Sequence, residues 1–378
     1  MGKARTGRHP VRPTAGGGTT VDERRLAVIP GDGIGEEVVR EGLKILDTAA
    51  AIHGGFRFRY DHYPWSCRYY LEHGRMMPED GLTILRDYEG IVLGAVGFPP
   101  VPDHVSLWGL LLPIRRTFDQ YVNLRPVKLL RGITSPLRGK EPGDFDFVVI
   151  RENTEGEYSN MGGSLRTGTP QEIVVQNTIF TRYGVERIIR YAFELARARG
   201  KRSVVGATKS NGINYTMPFW DTVFREVARD YPEMTTHLYH VDALAAYFVT
   251  RPESFEVVVA SNLFGDILTD LGGAIAGGIG LAPAANINPE RRYPSMFEPV
   301  HGSAPDIAGR GIANPIGMIW TISLLLDHFG YGDLAAKVVE AVEDVTVAGI
   351  KTPDLGGRAR TSEVGDAVAE RLKALAEA

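Results

Sequence analysis

The feature that most constrains this chain is a series of short apolar segments separated by helical patterns. The segments that read as buried strands are residues 26–29, 91–95, 145–150, 203–207 and 257–260. Between the first two, a helix carries one apolar stripe formed by Ile34, Val38, Val39, Leu43 and Leu46, and a similar pattern recurs near residues 185–196. Strands that alternate with helices in this way predict an α/β architecture with a largely parallel sheet.

Length and composition limit the class of protein. A chain of 378 residues is too long for one ordinary core, which predicts two domains. Hydrophobic residues make up 43% and charged residues 23%, as in globular proteins, and the net charge of -4 indicates neither a nucleic-acid nor a membrane partner. The single cysteine, Cys67, excludes an intrachain disulfide, and these features together favour a cytoplasmic protein.

Two segments fall outside the alternation of strands and helices. Residues 1–20 are basic and rich in glycine and proline but lack the apolar core of a signal peptide, which predicts a disordered extension. Residues 159–182 read as β-structure without an adjacent helix. A strand pair of that kind has open edges unless another chain covers them.

The segment 262–270 directly follows the apolar run 257–260 and carries two aspartates. If a helix begins near Asn262, Asp266 and Asp270 lie four residues apart on one face. Two carboxylates repel each other there, but a divalent cation bound to both makes the interaction attractive. Their hard oxygen ligands suit Mg²⁺ or Mn²⁺. Solvated carboxylates at this spacing are common, so the pair alone leaves both a metal site and a solvated surface open.

Arginine, tyrosine and lysine side chains are placed where a small acid could bind and react. Arg115, Arg125 and Arg151 lie near predicted strand or helix ends, and guanidinium groups can clamp a di-acid bidentately. Tyr158 and Lys209 follow predicted strands at their carboxyl ends and are candidates for proton transfer. Surface ion pairs, a half-buried tyrosine and an exposed lysine are the simpler alternatives.

Two loops are candidates for binding a nucleotide. The loop 298–309 contains small residues that allow a ligand to approach the backbone, Asp306 that could accept hydrogen bonds from a ribose diol, and His301 that could contact an adenine. The turn 30–35 contains Ile34 among three glycines, but their spacing differs from the G-x-G-x-x-G fingerprint. A tight turn therefore remains the alternative for that segment.

These segments, in this order, resemble the isocitrate/isopropylmalate dehydrogenase family of metal-dependent β-decarboxylating dehydrogenases, from about residue 25 to the C-terminus. The resemblance implies the two-domain isopropylmalate-dehydrogenase-like α/β fold, which is not the usual dinucleotide-binding fold. One domain would contain residues 21–120 plus 277–378 and lie on the cofactor side. The other would contain residues 121–276 and carry the dimer interface, the metal site and a protruding β-arm at about 159–182.

The resemblance also implies a role for each candidate residue. It assigns the substrate carboxylates to Arg115, Arg125 and Arg151, the acid to Tyr158 and the base to Lys209. The metal ligands are Asp266 and Asp270, with Asp242 joining from the partner subunit of a homodimer, so that each active site is shared. The residues that resemble the dinucleotide site are Ile34, His301, Gly302, Ser303, Ala304, Asp306 and Asn314.

Within the family, residues 102–109, 118–123 and 151–158 resemble the tartrate and D-malate dehydrogenases. Where isocitrate enzymes place a serine and an asparagine, this chain has apolar residues that include Trp108 and Leu111, so a third carboxylate would be buried without a partner. The predicted substrate is therefore a small 2-hydroxy diacid. Asp306 would repel the 2′-phosphate of NADP, which favours NAD, and tartrate and D-malate enzymes often require K⁺ besides Mg²⁺ or Mn²⁺.

Three alternatives remain open at this point. The chain could be a 3-isopropylmalate dehydrogenase, although Trp108 favours a pocket closed over a substrate with no alkyl branch. It could be a non-catalytic regulatory subunit of the same fold, although such subunits typically lack the metal aspartates or the lysine–tyrosine pair. It could also be a metal-binding nucleotide sensor without turnover, which NADH production would exclude.

Overall fold

The computed structural model describes residues 21–377, and the disordered extension predicted for residues 1–20 lies outside them. Within this range strands and helices alternate over most of the chain. The twelve strands are β1 Asp22–Gly31, β2 Phe56–His62, β3 Gly90–Ala95, β4 Val122–Lys128, β5 Asp146–Glu152, β6 Gly156–Leu165, β7 Ile173–Ile179, β8 Ser203–Thr208, β9 Thr235–His240, β10 Val257–Ala260, β11 Pro283–Ile287 and β12 Ser295–Pro299.

The α-helices of the described range differ widely in length, and a single π-helical turn, Leu107–Leu111, separates the fourth from the fifth. The twelve are α1 Gly35–His53, α2 Cys67–His73, α3 Gly81–Leu85, α4 Asp103–Ser106, α5 Leu112–Thr117, α6 Arg182–Ala198, α7 Thr216–Ala228, α8 Val241–Thr250, α9 Asn262–Ile275, α10 Ile316–His328, α11 Gly332–Val347 and α12 Thr361–Glu377. Across residues 21–377 no helix has the length and apolar character needed to cross a membrane.

Ten strands form one sheet in the order β2-β1-β3-β12-β11-β4-β5-β10-β8-β9. The four strands at each end are parallel to their neighbours, as the alternation of strands and helices predicts. The pairings β12-β11, β11-β4 and β4-β5 are antiparallel. Because these three pairings lie at the centre, the two parallel halves run in opposite directions, which the sequence patterns do not predict.

The apolar segments predicted as strands are strands, and both faces of the sheet are covered. In β1, Leu26 and Val28 pack into one core cluster, whereas Ala27 and Ile29 pack into another on the opposite face. All four side chains are fully buried. Burial on both faces explains why the segment is continuously apolar, since successive side chains of a strand point to opposite faces.

The predicted β-arm is present as a separate two-stranded sheet formed by β6 and β7. Its apolar side chains are exposed in the single chain, Val174 to 71% and Leu165 to 67%. The mixed α/β fold with a protruding arm is therefore confirmed. The division into two domains, 21–120 plus 277–378 and 121–276, stays a prediction, because one sheet continues through both parts.

Candidate active site

A cavity of about 600 Å³ opens at the centre of the sheet, beside the antiparallel strands. Nine of the predicted site residues line it: Trp108, Leu111, Arg115, Arg125, Arg151, Tyr158, Asp266, His301 and Gly302. The sequence patterns do not assign a role to four further polar residues of the wall: Glu157, Asn160, Gln176 and Glu298. Asn160 and Gln176 belong to the two strands of the arm, so the arm contributes to the cavity.

One wall of the cavity is formed by the π-helical turn. Trp108 and Leu111 both lie on it, and the Leu112 N–H donates to the Leu107 carbonyl in the i to i+5 pattern. A π-turn holds one residue more than an α-helical turn and is frequent at functional sites. The guanidinium of Arg116 stacks 4.6 Å from the Trp108 ring and holds it against the cavity.

Strand register brings two of the arginines together. Asn123 of β4 lies opposite Arg151 of β5, and Arg125 is two residues beyond Asn123 on the same face of β4. Arg115 reaches the same place from α5. The three arginine side chains are at least nine-tenths buried. Burial, followed by the positive charge of Arg125, lowers the pKa of Arg151, so this cluster favours an incoming anion.

Asp266 is the anion that two of these arginines share. Its Oδ1 accepts hydrogen bonds from Arg151 and, at 3.3 Å, from Nη1 of Arg125. Burial acts to raise the pKa of Asp266, but the charges of Arg151 and Arg125 outweigh burial and hold the pKa below its usual range. Asp266 is therefore ionised at neutral pH.

Tyr158 is tied to the same carboxylate. Its hydroxyl donates to Oδ2 of Asp266 at 2.9 Å, and its backbone carbonyl accepts a hydrogen bond from Arg116. Burial, together with the negative charge of Asp266, raises the pKa of Tyr158 above its ordinary value. The hydroxyl therefore keeps its proton at neutral pH, which a general acid must do.

The predicted metal ligands are only partly assembled by one chain. Asp266 and Asp270 lie one turn apart on α9, and Asp270 is exposed. Partial desolvation of its carboxyl group, followed by the charge of Asp266, raises the pKa of Asp270, as expected for two neighbouring carboxylates. In residues 21–377 no three histidine, cysteine or acidic side chains of one chain form a metal-binding group. The pair fits a hard divalent cation that takes further ligands from elsewhere.

Lys209 and Asp242 lie outside the cavity of their own chain. Lys209 follows β8, Asp242 lies in the first turn of α8, and Lys209 Nζ donates to Asp242 Oδ1 at 2.8 Å. The two side chains are 30% and 67% exposed. The two side chains lie next to each other, as two residues of one site must. Their roles in the site of a partner subunit stay predictions.

The two loops predicted to bind a nucleotide meet each other. The Ile34 N–H donates to the Ser303 carbonyl at 2.8 Å. Gly33 has a φ of +60°, and a Cβ there would lie 1.9 Å from the Ser303 carbonyl oxygen, so only glycine fits. Ala304 has a φ of +39°, a strained conformation that costs about 1–3 kcal/mol and is concentrated at ligand sites.

His301 gives the best test of whether a dinucleotide fits here. Its Nδ1 lies 3.0 Å from the Gly302 carbonyl oxygen, which places the proton on Nδ1. The other ring nitrogen, Nε2, is buried and finds no hydrogen-bond partner in residues 21–377. Burial lowers the pKa of His301, so the ring is neutral and Nε2 can accept a hydrogen bond from the amino group of an adenine.

The remaining predicted cofactor residues lie farther along the chain. Asp306 is exposed, and Asn314 is buried and donates to Asp354 Oδ2 at 2.9 Å. Glu298, which opens the same loop, was missed as a site residue. It is buried and accepts a hydrogen bond from Arg115 Nη2 at 2.5 Å. Its place in the site follows from the pairing of β12 with β11, for which the sequence has no local signal.

Comparisons with known proteins identify relatives over nearly the whole chain. A family model described as isocitrate/isopropylmalate dehydrogenase matches residues 25–368. The chain is 59% identical to a protein of Bacillus subtilis (strain 168) named "Probable tartrate dehydrogenase/decarboxylase", over 94% of this chain and 100% of the relative. It is 55% identical to D-malate dehydrogenase (decarboxylating) of Escherichia coli (strain K12), over 91% of this chain and 97% of the relative.

Solved structures give the same result. The crystal structure of isocitrate dehydrogenase from Methylococcus capsulatus superposes with a TM-score of 0.83 at 32% sequence identity. The superposition covers 93% of this chain and 99% of the other. The ten-stranded sheet and the site at its centre therefore belong to a fold that is already represented among solved structures.

Proposed function

The chain belongs to the isocitrate/isopropylmalate dehydrogenase family, and we propose that it catalyses the NAD-dependent oxidation and β-decarboxylation of a small 2-hydroxy diacid. D-malate would give pyruvate and CO₂. Tartrate would give oxaloglycolate, with or without decarboxylation. Enzymes of the tartrate and D-malate type are the relatives from which this activity is inferred.

The observation that carries the proposal is the cluster of Arg115, Arg125 and Arg151 around one cavity, with the Tyr158 hydroxyl bonded to Asp266. Buried guanidinium groups bind carboxylates bidentately, so the cluster supports a substrate with two carboxylates. The apolar wall at Trp108 and Leu111 disfavours a third carboxylate. These features together support malate and tartrate over isocitrate.

Each side chain of the site has a separate role in the proposed reaction. The three arginines hold the substrate carboxylates, and the apolar wall excludes water from the reacting carbon atoms. Lys209, supplied by a second copy of the chain, takes the proton of the 2-hydroxyl group. Tyr158, protonated at rest, returns a proton to the carbon that loses CO₂.

Dehydrogenases of this family generally use NAD and a divalent metal ion. Bound NAD would supply the acceptor for the hydride, and a bound divalent cation would supply Lewis-acid polarisation of the substrate. Asp266 and Asp270, with Asp242 of a second copy, are the residues proposed to hold Mg²⁺ or Mn²⁺. His301, Gly302, Ser303, Ala304, Asp306, Asn314 and Ile34 are proposed to hold NAD, and K⁺ is proposed as an additional requirement.

We also propose that the enzyme is a cytoplasmic homodimer with shared active sites. The arm exposes apolar side chains that include Leu165, Val174 and Val175, and exposed apolar surface of this kind is typical of an interface. Lys209 and Asp242 lie outside the cavity of their own chain, which a shared site explains. On this basis an isolated chain would be inactive.

The test is NADH formation with NAD⁺, Mn²⁺ and K⁺, comparing D-malate, the tartrate isomers, 3-isopropylmalate and isocitrate. We expect the fastest turnover on D-malate or a tartrate, and loss of activity with EDTA that excess Mn²⁺ restores. Omission of K⁺ and replacement of Mn²⁺ by Mg²⁺ measure the two ion preferences in the same assay.

Each of the other outcomes contradicts a defined part of the proposal. A preference for 3-isopropylmalate would keep the chemistry but reject the role given to Trp108 and Leu111. Turnover that resists EDTA would reject the metal site. No turnover on any of the substrates would favour the non-catalytic subunit or the nucleotide sensor.

A further inference from the structure

A continuous series of buried hydrogen bonds joins two of the arginines beneath the cavity. Arg125 Nε donates to Asn123 Oδ1 at 2.8 Å, and Asn123 Nδ2 donates to Asn286 Oδ1 at 2.7 Å. Asn286 Nδ2 donates to Glu298 Oε1 at 2.8 Å. Arg115 Nη2 donates to the same Glu298 oxygen at 2.5 Å. The positions of the two guanidinium groups are therefore linked through side chains alone.

The antiparallel centre of the sheet makes this series possible. Asn123 of β4 lies directly opposite Asn286 of β11, and Arg125 points to the same face two residues along β4. Asn286 in turn lies opposite Met296 of β12, two residues before Glu298. One face of three neighbouring strands therefore carries every member of the series except Arg115, which lies on α5. The sequence separates Asn123 from Asn286 by 163 positions.

Asn286 is the junction of the series, and every hydrogen-bonding position of its side-chain amide has a partner. Its Oδ1 accepts from Asn123 and, at 2.9 Å, from Asn153 Nδ2. Its Nδ2 donates to Glu298 and, at 3.3 Å, to the Met296 carbonyl. An amide offers two acceptor and two donor positions, so this fully buried side chain has one orientation available. Aspartate would lose both donors, and serine is too short to reach both sides.

Arg115 keeps one N–H group free of protein partners within the described residues. Its Nη2 is held by Glu298, but its buried Nε finds no hydrogen-bond partner in residues 21–377. A guanidinium that is held in place through one nitrogen and has another N–H without a partner can donate a hydrogen bond to a carboxylate. Fixing Arg115 relative to Arg125 therefore fixes the distance between two carboxylate-binding groups.

We propose that Asn286 is a positioning residue that sets the separation of Arg115 and Arg125 and thereby the selectivity for ligands with two carboxylates. The inference rests on the proposed function, in which both arginines hold substrate. Asn286 itself is fully buried and does not line the cavity. A ligand with one carboxylate needs only one of the two guanidinium groups, so its binding does not depend on their separation.

The experiment compares Asn286→Ser with the matched control Asn288→Ser in the full-length enzyme. Asn288 is equally buried and lies one residue beyond the same strand, and it donates to the Asp119 carbonyl instead of joining the arginines. Succinate and butyrate, which carry two and one carboxylate, serve as competitive inhibitors against D-malate. The KM for NAD⁺ and the midpoint of thermal unfolding are measured alongside.

We expect Asn286→Ser to raise the KM for D-malate about tenfold and to reduce the preference for succinate over butyrate by a similar factor. The KM for NAD⁺ should stay within about twofold, since none of the residues proposed to hold NAD belongs to the series. Asn288→Ser should lower thermal stability without changing the preference. Asn123→Ser interrupts the adjacent link and replaces Asn286→Ser if that variant does not fold.

The two possible failures are distinguishable. If Asn286→Ser or Asn123→Ser folds and keeps the wild-type preference for succinate, the positioning role is overturned while the proposed function stands. An equal loss in Asn288→Ser would overturn it as well, because burial alone would then explain the effect. If the wild-type enzyme has no preference for succinate and does not turn over diacids, the proposed function itself fails.

Discussion

The arginine cluster at the sheet centre and the Lys209–Asp242 pair are built in opposite ways. Arg125 and Arg151 are buried and bonded to Asp266 within one chain. Lys209 is partly exposed, Asp242 is exposed, and the two have a single ion pair with each other. An exposed ion pair contributes at most about 1 kcal/mol, so it can be given up readily for other partners.

The difference shows which of the proposed site residues are brought together by the folding of a single chain. Strand register fixes the arginines, because β4 and β5 are held by their neighbours in the sheet. Lys209 lies just beyond the end of a strand and Asp242 lies in the first turn of a helix, so neither is fully buried in the core of its own chain. The arginine cluster is therefore complete within one chain, whereas the roles proposed for Lys209 and Asp242 require a second copy.

The largest effect is expected from Asp266→Asn, which tests the buried half. This change removes a proposed metal ligand and the anion opposite two arginines, so kcat/KM should fall about a thousandfold or more. The free energy of unfolding should fall by ~2 kcal/mol, a figure reduced for the partial exposure of Asp266. Steady-state kinetics with a Mn²⁺ titration, and thermal unfolding without metal, measure the two effects.

Asp270→Asn is the matched control for that change. Asp270 has no ion pair in residues 21–377, so its loss should reduce activity and Mn²⁺ affinity without lowering stability. Equal stability losses in both variants would contradict the view that Asp266, and not Asp270, pairs with Arg125 and Arg151. Wild-type activity in either variant would reject the metal site.

The second prediction tests the exposed half by mixing inactive chains. Lys209→Met and Asp266→Asn should each be inactive as homodimers. When the two are unfolded together and refolded, roughly a quarter of wild-type activity should return, because half of the dimers are mixed and each contains one intact shared site. Activity of the mixture, followed against the ratio of the two chains, checks this. Failure to recover any activity would place Lys209 and Asp266 of the same chain in one site and break the comparison.

The smallest effect is expected at the arm. Val174→Asp places a charge on an apolar side chain that is 71% exposed, so the single chain should fold normally. If the arm is buried between two copies, the dimer dissociation constant should rise about a hundredfold, since the charge enters the interface twice. Sedimentation velocity over a range of concentrations measures this. Leu71→Asp, at a similarly exposed apolar residue on α2, is the control and should leave the dimer intact.

The sequence predicted the outer parts of the sheet better than its centre. Residues 26–29 and 257–260 are buried on both faces and therefore appear as continuous apolar runs. Strand β4 carries Asn123 and Arg125 among its apolar residues, because one of its faces serves the site. A strand whose polar residues bind a ligand lacks the pattern on which strand prediction depends.

The site shows the same limit. Resemblance to a family identified Arg115, Arg125, Arg151, Tyr158 and Asp266, and the structure brings these residues to one cavity. The bonds among Asn123, Asn286 and Glu298 depend on the pairing of strands far apart in the chain, which no local pattern encodes. The roles of Lys209 and Asp242 depend on a second chain and stay predictions.

The π-helical turn at Leu107–Leu111 gives this cavity a second means of variation besides side-chain replacement. Deletion of one residue there would join α4 directly to α5, with a kink at Pro113. Side chains on the two sides of the deletion would rotate relative to each other by about 100° around the helix axis. A deletion of one codon would thus turn Trp108 relative to Arg115 at the cavity while leaving every side chain of the site chemically unchanged. Divergence of substrate preference among such enzymes can therefore proceed through changes in helix length.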